Sequence, residues 1–169
     1  AGFDDDGQPI TRAPKSAVTL RNLLTHTSGF VYEIWNANEA RRQEVTGSPS
    51  LFTLENAALR TPLAFDPGTQ WEYGTGIDWT GKMVEQVSGM TLGEYFAANL
   101  TGPLGMTDTA FTHSPSMLSR AAGLHARMPD GSLVPMELPA PENPEFEMGG
   151  GGLQATMSDY GKFIRMILN

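Results

Sequence analysis

An amphipathic repeat near the C-terminal end restricts the possible folds of this chain more than any other segment. Its apolar residues recur at i, i+3, i+4, i+7 and i+8, and they are Tyr160, Phe163, Ile164, Ile167 and Leu168. The pair Thr156-x-x-Asp159 precedes the repeat at the spacing of a helix N-cap. Together these features predict a helix with one apolar face, which a stable fold covers with another element.

Further helices are predicted from the same kind of local pattern. They are expected to begin at Thr19, to cover Thr53 to Arg60, to run from about Ile77 to Gly89, and to begin again at the capping box Thr91–Glu94. The polar residues 36–50 are expected to form a loop or a short helix. A change of pattern at residues 122–136, with a turn at Pro129-Asp130-Gly131, predicts a short β-hairpin.

The remaining segments are predicted to be connections. Residues 1–18 are polar and punctuated by prolines, which is typical of a surface connection, and residues 135–144 are expected to form an extended linker. The length of 169 residues suits one domain. The predicted fold class is therefore mainly α with a small β-hairpin.

Composition excludes several kinds of partner. Nineteen acidic residues against eleven basic ones give a net charge of -8, which repels a phosphate backbone, so nucleic acid is not an expected partner. No apolar run approaches the roughly 18 residues of a spanning helix, so no membrane span is predicted. The absence of cysteine excludes disulfides and thiolate chemistry but leaves the compartment unknown, with the cytoplasm favoured over the periplasm.

The sequence predicts no cofactor. The glycine run at 149–152 lacks the Lys-Ser/Thr of a phosphate-binding loop, so a tight structural turn is favoured, although its glycines can line a cleft. His26, His113 and His125 share no metal-ligand spacing, so no metal site is expected. His26 lies between two threonines in a turn and is expected to hydrogen-bond the local backbone.

A tyrosine that follows a turn is the main candidate for chemistry. In the segment Phe65-Asp66-Pro67-Gly68-Thr69-Gln70-Trp71-Glu72-Tyr73-Gly74-Thr75, the phenol of Tyr73 is presented just before a predicted helix, where it could act as a base. Considered alone, such a tyrosine is more often packed than catalytic. The chain contains no Ser-x-x-Lys, so the usual partner nucleophile of such a tyrosine is missing.

Four blocks of the sequence carry a family resemblance. They are Thr19–Gly29 with its Leu-Leu-Thr-His-Thr-Ser-Gly, Pro67–Gly68 with Trp71-x-Tyr73 and Val87–Met90, Pro103–Thr109, and Gly149–Leu153 leading to Asp159, Tyr160 and Phe163. In this order they resemble the serine β-lactamase-like family, which includes class C β-lactamases, family VIII carboxylesterases and D,D-peptidases. The resemblance covers residues 19–169 and implies the helical lobe of the β-lactamase/transpeptidase-like α/β fold.

The same resemblance implies that this chain is a central fragment. In the family, Ser-x-x-Lys precedes the first block, and a Lys-Thr-Gly, His-x-Gly or Trp-x-Gly-Gly strand follows the last one. The α/β lobe, with the nucleophile and the final strands, is therefore expected to lie outside residues 19–169.

The resemblance further implies that Tyr73 is a general base, or part of a base shared with a lysine, for a serine that attacks an acyl carbon. A free phenol has a pKa of about 10, and lowering such a pKa to about 7 requires roughly 4 kcal/mol. One ammonium group at about 4 Å supplies roughly that energy at an effective dielectric constant near 20. Lys82 and Arg60 are not local to the tyrosine in sequence, so the cation is expected from the missing Ser-x-x-Lys, and this chain alone is expected to be inactive.

One departure from the family pattern affects the expected substrate. The β-lactamase motif Tyr-x-Asn has Thr75 at its third position here, and a hydroxyl has one donor where an amide has two. This favours a carboxylesterase that acts on short-chain esters through an acyl-enzyme, with an apolar acyl pocket. The expected substrate-binding residues are Thr75, Phe30, Tyr32, Trp35, Gly150 and Gly151.

Alternative functions remain open at this point. They are a β-lactamase or D,D-peptidase activity, a non-catalytic penicillin- or peptidoglycan-binding homologue, and an independent helical interaction domain. Under the leading hypothesis, the partners are a small-molecule ester or β-lactam and the remaining part of the same enzyme. A fragment separated from its other lobe would expose a large apolar face, whereas an independent domain would be a soluble, cooperative monomer.

Overall fold

The computed structural model describes residues 2–137 and 144–169. Its elements in chain order are β1 (Gly2–Phe3), β2 (Pro9–Ile10), α1 (Leu20–Leu24), α2 (Ala37–Thr46), two 3₁₀ turns (Leu51–Thr53 and Asn56–Leu59), α3 (Gly76–Ser88), α4 (Leu92–Phe96) continued by a π turn (Ala97–Thr101), α5 (Pro115–Leu118), β3 (Leu124–Arg127), β4 (Leu133–Met136) and α6 (Met157–Leu168). β1 pairs with β2 and β3 with β4, both antiparallel. The described part is mainly helical with two small hairpins, and the linker predicted at 135–144 lies largely outside the described residues.

Three of the helix starts that the sequence predicts are confirmed at their caps. The Thr19 side chain accepts a hydrogen bond from the N–H of the third helical residue, and so do the side chains of Thr91 and Thr156. Gly89 ends α3 with a left-handed φ of 71°, as its predicted C-terminal position requires. Of the two possibilities left open for residues 36–50, the short helix is the one that forms, as α2.

The helix predicted over residues 53–60 is wrong. Two 3₁₀ turns occupy this region, and Leu54 separates them with a left-handed φ of 55°. The N–H of Glu145 donates to the carbonyl oxygen of Leu54 at 2.9 Å, and the N–H of Asn56 donates to the Glu145 carboxylate at 2.7 Å. A continuous helix would pair the Leu54 carbonyl oxygen internally, with the N–H of Ala58, so a tertiary interaction overrides the local pattern.

The N-terminal segment contains a hairpin that the sequence does not reveal. β1 and β2 have two residues each, which is too short for an alternating pattern. The segment is attached to the tyrosine turn through Asp66, whose carboxylate accepts hydrogen bonds from the Arg12 guanidinium at 2.9 and 2.7 Å and from the Lys15 N–H at 3.0 Å. Residues 2–18 are therefore a surface segment with a defined anchor.

The start of α3 lies where the helices and the apolar core meet. α3 packs against α1 and α4. The approach to α1 is so close that a Cβ on Gly76 would lie 2.4 Å from the carbonyl oxygen of Leu23. The buried core cluster consists of Tyr32, Leu51, Leu59 and Phe146, with Leu54, Trp79 and Met148 packed against it. The segment that follows the candidate tyrosine is thus fixed on two sides.

α6 is attached to the rest of the fold through Asp159. This carboxylate accepts hydrogen bonds from the Asp108 N–H at 2.7 Å and from the Thr109 hydroxyl at 3.1 Å. The apolar side of α6 remains largely uncovered, with Ile167 64% and Leu168 77% exposed. Within the described residues, no helix is both long and apolar enough to cross a bilayer.

Candidate active site

The tyrosine turn is joined to the turn after α1 by backbone hydrogen bonds. The N–H of Glu72 donates to the carbonyl of His26 at 3.0 Å, and the N–H of Gly68 donates to the carbonyl of Thr27 at 2.8 Å. A third bond runs from the N–H of Ala64 to the carbonyl of Gly29 at 2.8 Å. The first two resemblance blocks therefore form one local structure, although about 40 residues separate them in sequence.

Tyr73 is presented at the surface between two other rings. Its side chain is 42% exposed. The imidazole of His26 lies 4.8 Å from the Tyr73 ring and the phenol of Tyr32 lies 5.1 Å from it, both tilted by 55°. Trp71, which is exposed, meets His26 edge-on at 6.2 Å. The phenol of Tyr73 is thus accessible to a reactant while its ring is held from the protein side.

The buried carboxylate of Asp78 contacts the ring arrangement around Tyr73 from the protein interior, through Tyr32. Asp78 is in the first turn of α3 and has an exposure of 0%. It accepts a hydrogen bond from the Tyr32 hydroxyl at 3.1 Å and another from the Gly150 N–H at 2.9 Å. Burial raises the pKa of Asp78 above its ordinary value, although these hydrogen bonds act in the opposite direction. Burial and the adjacent Asp78 also raise the pKa of Tyr32.

The glycine turn that precedes α6 reaches the site through Gly150. The N–H groups of Gly151 and Gly152 both donate to the carbonyl of Met148, at 3.3 and 2.7 Å. With the Gly150 N–H bound to Asp78, these three amides are all used within the protein. A tight turn is therefore the structural role of this run, and Gly151, which is exposed, stays a predicted substrate contact.

His26 differs from its sequence-based expectation. Its φ of 54° is in the left-handed region, which is uncommon for a residue other than glycine. Its Nδ1 is buried and has no hydrogen-bond partner among the described residues, so the hydrogen bond from the imidazole to the local backbone that the sequence predicts does not form at this nitrogen. The ring instead packs against Tyr73 and Trp71 because the turn directs it towards them.

The predicted substrate-binding residues other than the glycines occupy different environments, and three of them, Phe30, Tyr32 and Trp35, are the predicted wall of the acyl pocket. Tyr32 is buried in the core, and Phe30 stacks on Trp79 with ring centroids 5.5 Å apart. Trp35 is 68% exposed, three residues beyond Tyr32. The hydroxyl of Thr75 is buried and lacks a hydrogen-bond partner in the described part of the chain. Of these four predicted contacts, only Trp35 presents a largely exposed side chain.

A groove on another side of the molecule is separate from the tyrosine. It has a volume of about 520 Å³ and lies between the β1–β2 hairpin and residues 61–66. Phe30 and Val31 line it, but Tyr73 does not. The groove is open, and its charged lining groups are paired with each other, Arg42 with Glu39 and Arg12 with Asp66, both at 2.7 Å. We therefore place the candidate chemistry at Tyr73 and not in this groove.

Sequence reasoning missed Asp78. An acidic residue in the first turn of a helix is common because it interacts favourably with the helix dipole, so Asp78 carries no special signal. Its partners Tyr32 and Gly150 are 46 and 72 residues away. Lys82, which the sequence offered as a basic residue on the same helix, forms an ion pair with Glu85 at 2.6 Å.

Comparison with known proteins identifies the same family as the four sequence blocks. The sequence model of the beta-lactamase family matches residues 8–169. Monacolin J acid methylbutanoyltransferase from Aspergillus terreus is 39% identical over 137 residues, which are 78% of this chain and 33% of that protein. Lovastatin esterase from Penicillium rubens is 34% identical over an alignment of 178 positions, which covers 99% of this chain and 44% of that protein.

The fold of this chain is also similar to that of a solved structure. The LovD6 mutant of simvastatin synthase LovD from Aspergillus terreus superimposes with a TM-score of 0.84 at 36% identity, covering 99% of this chain and 41% of the other. The chain thus spans between a third and a half of the length of these relatives. On the family match and these relatives together, the chain belongs to the beta-lactamase family.

Proposed function

We propose that this chain is the central part of a serine enzyme that removes acyl groups from carboxylic esters through an acyl-enzyme, with Tyr73 as general base. The observation that carries the proposal is the half-exposed phenol of Tyr73, whose ring is fixed between His26 and Tyr32. A base must be both accessible and rigidly held, because proton transfer requires hydrogen-bond distance to the reacting hydroxyl.

The proposed reaction has two halves. Tyr73 accepts the proton of a serine hydroxyl as the serine oxygen attacks the ester carbonyl, and it returns this proton to the departing alkoxide, which leaves as an alcohol. The acyl group is then bound to serine. In the second half a water molecule loses a proton to Tyr73 and attacks the acyl carbon. The bond from this carbon to the serine oxygen breaks, Tyr73 returns the proton to that oxygen, and a carboxylic acid is released.

The serine and a cation are proposed to come from residues outside this chain. Lys82 is engaged by Glu85 in an ion pair, which supports a cation from elsewhere. A Ser-x-x-Lys motif would supply both the nucleophile and the ammonium group. The isolated chain is therefore expected to lack esterase activity.

Thr75, two positions after Tyr73, favours esters over β-lactams as substrates. Thr75 replaces the asparagine of the β-lactamase motif, and its hydroxyl is buried. It therefore offers less to the amide of a β-lactam than an exposed carboxamide would. Short-chain esters, which need no such amide contact, are the proposed substrates, and β-lactam or D,D-peptide hydrolysis is the alternative.

Transfer of the acyl group to an alcohol is a second candidate activity. The similarity to a methylbutanoyltransferase at 39% identity and to an esterase at 34% identity favours it. Both reactions are compatible with one acyl-enzyme, since they differ only in whether water or an alcohol attacks it. The nature of the small-molecule acceptor would then be set by residues around the acyl group.

The experiment uses the full-length protein and p-nitrophenyl butyrate. Tyr73→Phe is expected to lower the rate of nitrophenol release by roughly 10³-fold, in the range of lost general-base catalysis. Tyr95→Phe removes a phenolic hydroxyl from α4 and is the matched control, for which the rate should stay near the wild-type value. Near-normal turnover by Tyr73→Phe would contradict the proposal.

The two candidate reactions are separated by adding 1-butanol. Formation of butyl butyrate, measured by mass spectrometry against butyric acid, indicates transfer, and its absence indicates hydrolysis alone. Nitrocefin turnover at a rate equal to that of the ester would instead favour the β-lactamase alternative.

A further inference from the structure

We propose that Asp78 is the positioning residue of this site, which holds Tyr32 against Tyr73 and fixes the Gly150 turn beside them. This inference rests on the proposed role of Tyr73 and extends it to a residue that touches neither a reacting atom nor substrate. It assigns a task to the buried carboxylate that the reaction itself leaves unused.

The contacts of Asp78 connect three separate parts of the chain. One carboxylate oxygen accepts the Tyr32 hydroxyl at 3.1 Å, and the other accepts the Gly150 N–H at 2.9 Å. Asp78 itself follows Tyr73 by five residues, at the start of α3. A single side chain therefore fixes the turn after α1, the glycine turn and the helix that begins behind the candidate base.

Tyr32 carries the effect of Asp78 to Tyr73. The Tyr32 ring belongs to the buried core, so its position is constrained by packing, and its hydroxyl is constrained by Asp78. Its ring centroid lies 5.1 Å from that of Tyr73. A shift of Tyr32 would thus allow the Tyr73 ring to move, and an error of about 1 Å at a catalytic group can cost roughly 100-fold in rate.

Gly150 is fitted to the same pair. A Cβ at this position would lie 2.8 Å from the Tyr32 hydroxyl oxygen and 2.9 Å from an Asp78 carboxylate oxygen. The absence of a side chain lets the Gly150 backbone come close enough for its N–H to bind the Asp78 carboxylate. The glycine turn is therefore placed by Asp78 and not only by its own internal hydrogen bonds.

Burial of a carboxylate lowers the stability of a fold unless other interactions compensate it. An ionised group without exposure loses its hydration, and hydrogen bonds compensate this only in part, in agreement with the raised pKa of Asp78. An apolar residue would pack a core at less cost. Alignment of Tyr32 and Gly150 by the carboxylate would explain why a buried aspartate is present here despite its cost in stability.

Asp159 provides a matched control. It is also a buried aspartate, and it also accepts one backbone N–H, from Asp108, and one side-chain hydroxyl, from Thr109. Unlike Asp78, it has an additional ion pair, with the Lys162 ammonium at 2.8 Å, so its removal should cost at least as much stability. It attaches α6 and has no recorded contact with Tyr32 or Tyr73 among the described residues. Loss of Asp159 should therefore reproduce the stability effect of losing Asp78 without its effect on the reaction.

The test measures kcat and KM of the full-length protein with p-nitrophenyl butyrate. Tyr32→Phe and Asp78→Ala are expected to lower kcat by roughly 10- to 100-fold. Their KM should change by less than about threefold, because the lost effect is on the transition state. Asp78→Asn should restore most of kcat, since its amide oxygen can still accept the Gly150 N–H and its amide NH2 can donate to the Tyr32 hydroxyl oxygen. Asp159→Ala should lower Tm while leaving kcat near the wild-type value.

A double variant distinguishes positioning of Tyr73 from general damage. In a Tyr73→Phe background, Asp78→Ala should lower the residual rate no further, because the two changes affect the same group. Independent, additive losses would overturn the proposal. If Asp78→Ala does not fold, Tyr32→Phe decides the matter, since it removes one hydroxyl and keeps the core packing.

A crystallographic measurement separates this inference from the proposed function. If Tyr73→Phe is fully active, the proposed base is wrong, but the position of Tyr73 in the Tyr32→Phe structure still tests the positioning. A displacement of the Tyr73 ring by about 1 Å supports it. A wild-type kcat in Tyr32→Phe, together with an unmoved ring, would overturn it while leaving the role of Tyr73 intact.

Discussion

A Cβ atom on Gly74 would lie 2.1 Å from the carbonyl oxygen of Phe30, which is far inside van der Waals contact. The same atom would lie 2.5 Å from the Cα of Val31. The backbone that follows Tyr73 therefore runs directly against the backbone that leads to Tyr32. The glycine after the tyrosine is required by this close approach, since its neighbours are main-chain atoms that cannot rotate away.

Gly74→Ala should consequently destabilise the protein. The clash requires a backbone shift, and overpacking of this kind typically costs about 1–3 kcal/mol. Gly161→Ala is the matched control, because nothing lies within 4 Å of a Cβ at that position in α6. There alanine should stabilise by about 0.5–1 kcal/mol through helix propensity. Urea denaturation of the full-length variants measures both effects, and equal midpoints would contradict the prediction.

The anchor of the N-terminal segment should depend on pH. The hydrogen bond from the Arg12 guanidinium, and then that from the Lys15 N–H, lower the pKa of Asp66 well below its usual range. A carboxyl group with a lowered folded-state pKa stabilises the fold above its unfolded pKa of about 3.9, and this contribution is lost as the pH falls through the folded pKa. Stability should therefore decline below about pH 4.

Asp66→Asn tests this pH dependence. The variant should be less stable at pH 6, and its urea midpoint should fall less than that of the wild type between pH 5 and pH 2.5. Asp5→Asn removes an exposed carboxylate without removing this contact, and its pH slope should match the wild type. A wild-type slope in Asp66→Asn would show that the anchor does not titrate as expected.

Trp35 is expected to contact the acyl chain of the substrate. A methylene group buried against an apolar surface contributes about 0.8 kcal/mol, so partial loss of such contacts across several methylenes should raise KM by roughly 3- to 10-fold. Trp35→Ala should show this increase for p-nitrophenyl hexanoate but not for the acetate. Phe52→Ala removes another exposed aromatic side chain and should leave both KM values unchanged. An equal response to the two esters would remove Trp35 from the proposed acyl pocket.

The exposed side of α6 should make the isolated chain associate or bind hydrophobic dye. Its uncovered apolar residues include Tyr160, Ile164, Ile167 and Leu168, which follow one another at helical spacing. A contiguous surface of this kind is typical of an interface. The double variant Ile164→Glu/Ile167→Glu should lower anilinonaphthalene sulfonate fluorescence of the isolated chain, whereas Val87→Glu, at a single exposed position of α3, should not. Weak dye binding by the unmodified chain would favour the independent domain.

Local sequence patterns predict much of this fold because the relevant interactions are local. The caps at Thr19, Thr91 and Thr156 satisfy backbone groups within three residues, so their motifs identify the helix starts. The β3–β4 hairpin is likewise visible from its turn at Pro129-Asp130-Gly131. The family relation followed from short blocks whose order could be compared directly.

Other features depend on contacts that no local pattern encodes. Leu54 breaks the predicted helix because Glu145 pairs with its carbonyl, and Asp78 is important because Tyr32 and Gly150 reach it. The sequence identifies Tyr73 as a candidate base, but not what holds it in place. Whether Thr75, Gly150 and Gly151 bind substrate stays a prediction.

The wide spacing of the groups around Asp78 has a consequence for folding. A chain still under synthesis contains Tyr32, Tyr73 and Asp78 well before Gly150, whose N–H completes the hydrogen bonds of the carboxylate. Closing a loop of 72 residues costs conformational entropy that helix formation avoids, and contacts between distant residues form slowly. The tyrosine is therefore expected to reach its final alignment late in folding, and a nascent chain that lacks the glycine turn should not yet act on an ester.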